Sequence, residues 1–114
     1  MPPILERTTT PLANGLAFGE GPRWHAGRLW LSDMHGRQVV TLDSAGRVEP
    51  VVRVEGRPSG LGWLPDGHLL VVSMEDRKLL RLEDAALAMH ADLSALAPHE
   101  INDLVVSSDG QAYV

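Results

Sequence analysis

The sequence GRLWLSDMHGRQVVTLD, Gly27 to Asp43, returns in a related form as GHLLVVSMEDRKLLRLE, Gly67 to Glu83. Each copy passes from a glycine and a basic residue through an apolar stretch to a serine, then through a polar loop into an alternating strand that ends on an acid. A third copy, NDLVVSSDGQAYV, runs from Asn102 to Val114. A repeat of about 40 residues built from short strands and glycine turns is typical of β-propeller blades. The repeat therefore predicts an all-β fold.

Alternating apolar residues between turn-forming residues divide each complete repeat into four strands. Those of the first repeat are predicted at 21–24, 28–32, 38–43 and 48–54, and those of the second at 61–64, 68–74, 78–83 and 87–92. The Ala and Leu spacing around 87–93 would also suit a short helix, and we interpret 87–92 as an outermost strand. We therefore expect a partial six-bladed β-propeller of about two and a half four-stranded antiparallel blades. Its predicted parts are a lead-in segment at 1–19, blades at 20–58 and 59–100, and the start of a third blade at 101–114.

Composition limits the classes of partner. The net charge is −5 with no cluster of basic residues, which disfavours binding to nucleic acid or to an anionic membrane surface. The absence of cysteine excludes disulfides, cysteine zinc sites and thiol catalysis. The opening residues lack the apolar core of a signal peptide, and no apolar run approaches the length of about 20 residues that spans a bilayer. We therefore expect a cytoplasmic protein.

The repeat also places three polar residues at one register. Glu20, Ser59 and Asn102 each stand four residues before the aligned strand positions Trp24, Trp63 and Val106. Because side chains alternate along a strand, residues four apart are expected on one face. The first strand of every blade lines the central channel, so the three oxygen-bearing groups are predicted to converge near one mouth. Such a group suits a polar pocket or a site for Ca²⁺, Mg²⁺ or Mn²⁺.

Structural roles compete with this interpretation. Glu20 between two glycines could be a solvated acid, Asn102 could cap a turn together with Asp103, and Ser59 stands among turn-forming residues. The three tryptophans fit the core between blades better than a ligand-stacking role: Trp24, Trp30 and Trp63. Ser32 and Ser73 recur at equivalent strand ends, which favours structural caps over nucleophiles, and the five histidines show no metal-binding spacing.

Four motifs resemble those of the gluconolactonase/regucalcin (senescence marker protein) family of sugar-lactone hydrolases. They are EGPRW from Glu20, GRLWLSDMHG from Gly27, GRPSGLGWLPDG from Gly56, and the ND pair at Asn102. The resemblance extends from Leu16 to the end of the sequence. It implies a six-bladed propeller with one divalent cation, Ca²⁺ or else Zn²⁺, Mg²⁺ or Mn²⁺, in the central channel.

The resemblance also implies roles for individual residues. Glu20 matches the first metal ligand of the family, and Asn102 matches a residue that contacts the sugar or lactone. Family members often carry an arginine two residues before that asparagine, whereas this chain has Glu100, which would repel a carboxylated lactone. The other ligands, an Asn and an Asp, and the general base are expected in blades beyond Val114, so no catalytic residue is assigned within the sequence.

The expected function is therefore that of the N-terminal part of a divalent-metal-dependent lactonase. The cation would be incompletely liganded and the chain inactive alone, with uncovered blade faces that favour self-association. Two alternatives stay open: a non-catalytic propeller used for binding or scaffolding, and a regulatory calcium-binding protein of the same fold.

Overall fold

The structure, a computed structural model, describes all 114 residues. Its strands form two four-stranded antiparallel sheets, ordered as in the chain, and one hairpin. The first sheet contains β1 Gly19–His25, β2 Arg28–Asp33, β3 Gln38–Leu42 and β4 Val48–Arg53. The second contains β5 Pro58–Trp63, β6 Leu69–Ser73, β7 Lys78–Glu83 and β8 Ala86–Asp92, and the hairpin β9 Val105–Val106 and β10 Ala112–Tyr113. The all-β, partial propeller architecture is confirmed, and the ambiguous segment at 87–92 is an edge strand.

The two sheets repeat down to single hydrogen bonds. The loop after β2 closes with the Arg37 amide donating to the Met34 carbonyl, and the loop after β6 closes in the same way between Arg77 and Met74, both at 3.3 Å. Arg37 and Arg77 also share a left-handed backbone, with φ values of 57° and 55°. The sequence repeat is thus a structural repeat. No helix long and apolar enough to cross a membrane is present.

Three apolar layers hold the sheets together. The layer between the first and second sheets is fully buried and consists of Val39, Val54, Leu61, Leu69 and Val71. A second layer lies between the second sheet and the β9–β10 hairpin: Leu70, Val72, Leu79 and Leu104. The third lies on the outer side of the first sheet, where the lead-in residues Ala13 and Leu16 pack against Leu31, Val40 and Leu42. Each sheet therefore depends on a neighbour to bury both of its faces.

The prediction that all three tryptophans are core residues is wrong for Trp24. Trp30 and Trp63 pack against the layer between the sheets, with ring centroids 5.3 Å apart, but the Trp24 side chain is 73% exposed. Trp24 pairs across the ladder with Leu29, which belongs to the outer side of the first sheet. Cross-strand partners share a face, so Trp24 lies on the outer face of the first sheet, which no further sheet covers.

Candidate functional site

The innermost strands of the repeats lie side by side. β1 contacts β5, and β5 contacts β9. The Gly60 amide donates to the Asn102 carbonyl at 3.1 Å, and Gly21 lies against the carbonyl of Ser59. The structure therefore brings together the backbone positions that carry Glu20, Ser59 and Asn102.

Two glycines permit this close approach. A Cβ atom on Gly60 would lie 2.6 Å from the Leu104 nitrogen, and one on Gly21 would lie 2.6 Å from the Ser59 carbonyl oxygen. Both distances are shorter than real Cβ contacts, and the atoms that would be struck belong to the backbone and cannot rotate away. The glycines of the EGPRW and PSGLG motifs are thus required where one inner strand meets the next.

A β-bulge in β1 decides where Glu20 points, and it corrects the expectation that residues four apart share a face. Glu20 pairs with Ser32 and Arg23 with Trp30, so two residues of β1 between these pairs oppose one of β2. The extra residue lies at the bulge, where Gly21 has a φ of 62°. The Glu20 side chain therefore lies on the same face of the sheet as Arg23 and on the opposite face from Trp24. That face is the one turned toward the second sheet, because Trp30 packs there.

The two residues assigned by resemblance differ in exposure. Glu20 is half-buried and takes part in none of the ion pairs of the chain. Asn102 is exposed; its carbonyl accepts hydrogen bonds from the second sheet, whereas its carboxamide has no partner within the chain. Both side chains are thus available to a ligand.

The Ser59 side chain links neighbouring repeats and does not line a pocket. The three polar groups therefore do not converge in the way that was expected. Its side chain is fully buried, and its hydroxyl donates to the Asn102 carbonyl. Its carbonyl in turn accepts the Ser32 hydroxyl at 2.7 Å. A line of serine hydrogen bonds thus crosses three repeats, which supports the structural role predicted for Ser32. Ser73, the matching serine of the second repeat, is equally buried but has no hydrogen-bond partner.

Asp33 anchors the segment that precedes Glu20. Its buried carboxylate accepts hydrogen bonds from the backbone amides of Ala17 and Phe18, the latter at 2.8 Å. Burial raises the pKa of the Asp33 carboxyl, but backbone hydrogen bonds, led by that from Phe18, outweigh burial and leave the pKa below its usual value. The carboxylate therefore stays ionised and fixes the chain at the start of β1.

Sequence reasoning missed an ion pair that joins the first and third repeats. The Arg23 guanidinium donates to the Asp103 carboxylate at 3.1 Å and to the Leu104 carbonyl at 3.2 Å. Asp103 also accepts the Leu104 amide at 2.8 Å, so the turn-capping role considered for the ND pair belongs to Asp103. The signal was present as opposite charges two positions apart in the aligned repeats, but only the structure shows that the arginine reaches the aspartate.

A polar cleft opens just before the segment that carries Asn102. It has a volume of about 580 Å³ and is lined by Glu75, Arg77, Pro98, His99 and Glu100. Glu75 is neutralised by Arg57, 2.8 Å away. Glu100 is exposed and has no ion pair, so it places an unpaired carboxylate two residues before Asn102, in a cleft that Arg77 also lines.

The chain contains no cluster of three or more His, Asp or Glu side chains that could hold a metal by itself. The donors offered by Glu20 and Asn102 are a carboxylate and a carboxamide, both hard oxygen ligands. The donor set therefore fits Ca²⁺ or Mg²⁺ in chemistry and falls short in number, since Ca²⁺ takes about six to eight oxygens.

Solved structures share this arrangement of sheets. The chain resembles a gluconolactonase from Xanthomonas campestris with a TM-score of 0.70 and 25% identity over 82% of this chain and 33% of that one. A calcium-binding protein, regucalcin, from Agrobacterium tumefaciens gives 0.67 and 17% over 82% and 37%. Virginiamycin B lyase from Staphylococcus aureus gives 0.70 and 14% over 96% and 37%. The chain thus spans about a third of the length of these proteins.

Among curated protein sequences, none matches this chain. A sequence model of the SMP-30/gluconolactonase/LRE-like region matches residues 18–114, which include every strand of the structure. The matched range contains the EGPRW motif, the paired loops of the two sheets and the ND pair. This chain therefore belongs to the SMP-30/gluconolactonase/LRE-like family.

Proposed function

We propose that this chain is part of a divalent-metal-dependent lactonase that hydrolyses a sugar lactone or a related cyclic ester. Membership of the family and the likeness to the Xanthomonas campestris gluconolactonase support this proposal. The observation that carries it is the bulge of β1, which turns the unpaired Glu20 carboxylate toward the strands that lead to Asn102. A carboxylate and a free carboxamide are the two groups proposed to border one mouth of the channel.

Glu20 is the proposed metal ligand and Asn102 the proposed substrate contact. A bound cation would supply Lewis-acid polarisation of the lactone carbonyl. The Asn102 carboxamide can donate to a ring or hydroxyl oxygen of the sugar and accept from a hydroxyl, which orients the lactone. The remaining ligands and the general base are proposed to come from later repeats of a longer protein, so this chain alone is expected to bind metal weakly and to hydrolyse little.

Titration calorimetry with Ca²⁺ tests the ligand role of Glu20. We expect weak binding to this chain, with a dissociation constant on the order of millimolar, because the site is incompletely liganded. Glu20→Gln removes the charge and should abolish the binding. Glu49→Gln is the matched control, since Glu49 is an exposed acid on β4 of the same sheet. Equal binding by Glu20→Gln and the wild type would remove Glu20 from the site.

Proton release from D-glucono-δ-lactone tests the reaction, on this chain and on longer forms of the protein that carry further repeats. We expect hydrolysis by the longer forms to require a divalent cation and to stop with a chelator. Hydrolysis that is indifferent to the chelator would contradict the metal mechanism.

Glu100 should select against lactones that carry a carboxylate. Its unpaired charge two residues before Asn102 would repel such a substrate, and one charge pair near a surface is worth about 1 kcal/mol. In a hydrolytically active longer form, Glu100→Gln should raise kcat/KM for a carboxylated lactone by about fivefold and leave that for a neutral lactone unchanged. Glu55→Gln, which changes an exposed acid bound to Arg53, is the control. An equal effect of Glu100→Gln on both substrates would contradict charge selection.

Calcium binding without turnover is the second candidate. The likeness to regucalcin from Agrobacterium tumefaciens and the oxygen donors of Glu20 and Asn102 favour it. Calcium affinity that depends on Glu20, together with no hydrolysis of any γ- or δ-lactone by a longer form, would identify this function.

A further inference from the structure

Arg23 is the residue that physically links the first inner strand to the third. Its guanidinium reaches across β5 to the Asp103 carboxylate at 3.1 Å and to the Leu104 carbonyl at 3.2 Å, and it is held at its own end by the Pro22 carbonyl at 2.9 Å. These contacts connect positions 80 and 81 residues apart in the chain. No other side chain makes a hydrogen bond between these two repeats.

Two glycines bring the second repeat close to the third. A Cβ on Gly60 would lie 2.6 Å from the Leu104 nitrogen, and one on Gly62 would lie 2.7 Å from the Val106 side chain. Arg23 lines two adjoining cavities, one of about 270 Å³ against Trp63 and one of about 290 Å³ against Tyr113. Its side chain is only 36% exposed, so the guanidinium lies along the inner strands and is not directed into solvent.

Both hydrogen bonds of Arg23 to the third repeat fall on the two residues that follow Asn102. Asp103 holds the Leu104 amide while it accepts Arg23, and the Asn102 carbonyl is held from the other side by Gly60 and Ser59. The backbone is thus held on both sides of Asn102, and the carboxamide of that residue has no partner within the chain.

We infer that Arg23 is a positioning residue that sets the direction of the Asn102 carboxamide through Asp103. This inference rests on the proposed substrate contact of Asn102. Arg23, the fourth residue of the EGPRW motif, is then part of the substrate site. It and the asparagine that it orients lie on opposite sides of the second repeat. Arg23 also joins the strand that carries Glu20 to the segment that carries Asn102, because its guanidinium bonds to Asp103 and Leu104.

Amide hydrogen exchange tests the coupling without a substrate. In Arg23→Gln and in Asp103→Asn, exchange of the Gly60 amide, which is bonded to Asn102, should rise by about three- to fivefold, the range expected for a partly exposed ion pair. The nuclear magnetic resonance signals of the Asn102 side-chain amide should shift in both variants. The exchange rate of the Gly60 amide in the double variant should exceed that of neither single variant, since the two residues act as one pair. High salt should shrink the difference from the wild type.

Arg28→Gln is the matched control, because Arg28 pairs with Glu49 at 3.2 Å on the same sheet but far from Asn102. Exchange of Gly60 should stay unchanged in this variant. A charge-swapped double variant, Arg23→Asp with Asp103→Arg, should restore part of the protection of the Gly60 amide against hydrogen exchange. The inference is overturned if Arg23→Gln leaves Gly60 and Asn102 unchanged, or if Arg28→Gln changes them equally.

Kinetics of a longer, hydrolytically active form separate positioning from general stability. Arg23→Gln should raise KM for D-glucono-δ-lactone by about three- to fivefold, at an unchanged melting temperature and metal affinity. An unchanged KM would overturn the positioning role. A wild type that hydrolyses no lactone would instead contradict the proposed function, and the exchange experiment would still decide whether Arg23 orients Asn102.

Discussion

At the scale of single residues, Asp33 is the charged group whose removal should cost the most stability. Its folded pKa is depressed by backbone hydrogen bonds, so it stabilises the fold above its unfolded pKa of about 3.9, and this contribution is lost as pH falls through the folded value. Asp33→Asn should lower the free energy of unfolding at pH 7 by about 1–3 kcal/mol. In urea titrations the gap between the two proteins should narrow below about pH 4. A gap that is constant from pH 7 to pH 3 would contradict the role of the charge.

Individual residues also show what the sequence could and could not predict. The sequence predicted that Glu20 and Asn102 occupy equivalent positions, because the repeats align. It did not predict which face of the sheet Glu20 lies on, because one extra residue at Gly21 reverses the alternation of side chains along β1. The burial predicted for Trp24 was wrong because it, too, depends on more than the repeat. Its strand repeats that of Trp63, but burial depends on whether a neighbouring sheet covers the face, and the first sheet has only the lead-in segment there. Whether the Glu20 and Asn102 side chains serve one ligand stays a prediction.

At the scale of elements, the contact between inner strands depends on Gly60. In Gly60→Ala the new Cβ would meet backbone atoms of Asp103 and Leu104 at 2.6–3.0 Å, so the β5–β9 contact must open. Overpacking of this kind costs about 1–3 kcal/mol, which thermal unfolding should detect. Gly19→Ala is the control and should cost less, because its Cβ would meet the flexible end of Leu31 at 3.0 Å. Equal melting temperatures for Gly60→Ala and the wild type would show that the strands separate without cost.

Strand positions were predicted well because turn residues and alternating apolar residues are local signals. β7 begins and ends where the pattern indicated, and most other strands differ by one or two residues. The start of β5 was missed by three residues, since Pro58 to Gly60 read as turn formers. Their strand conformation comes from contact with the third repeat, which is tertiary information.

At the scale of the whole molecule, uncovered sheet faces should drive self-association. Large apolar side chains are exposed at both ends of the row of sheets, including Trp24 at 73% and Val105 at 60%. Sedimentation velocity should therefore show oligomers at micromolar concentrations. Trp24→Lys should shift the distribution toward monomer. Ile4→Lys, which adds the same charge outside the sheets at an 88% exposed residue, should not. A monomeric wild type that unfolds cooperatively would contradict this prediction.

The inserted residue of β1 recurs in the second blade, where β5 carries the same irregularity between Pro58 and Leu61. In β1 it places an acid that stands an even number of positions from the tryptophan on the opposite face of the sheet, whereas a regular strand would keep the two on one face. A metal-binding carboxylate transplanted into this sibling blade would therefore find the insertion already in place. Deleting the insertion from β1 would turn the charge of Glu20 toward the outer aliphatic side chains and leave the hub without its ligand.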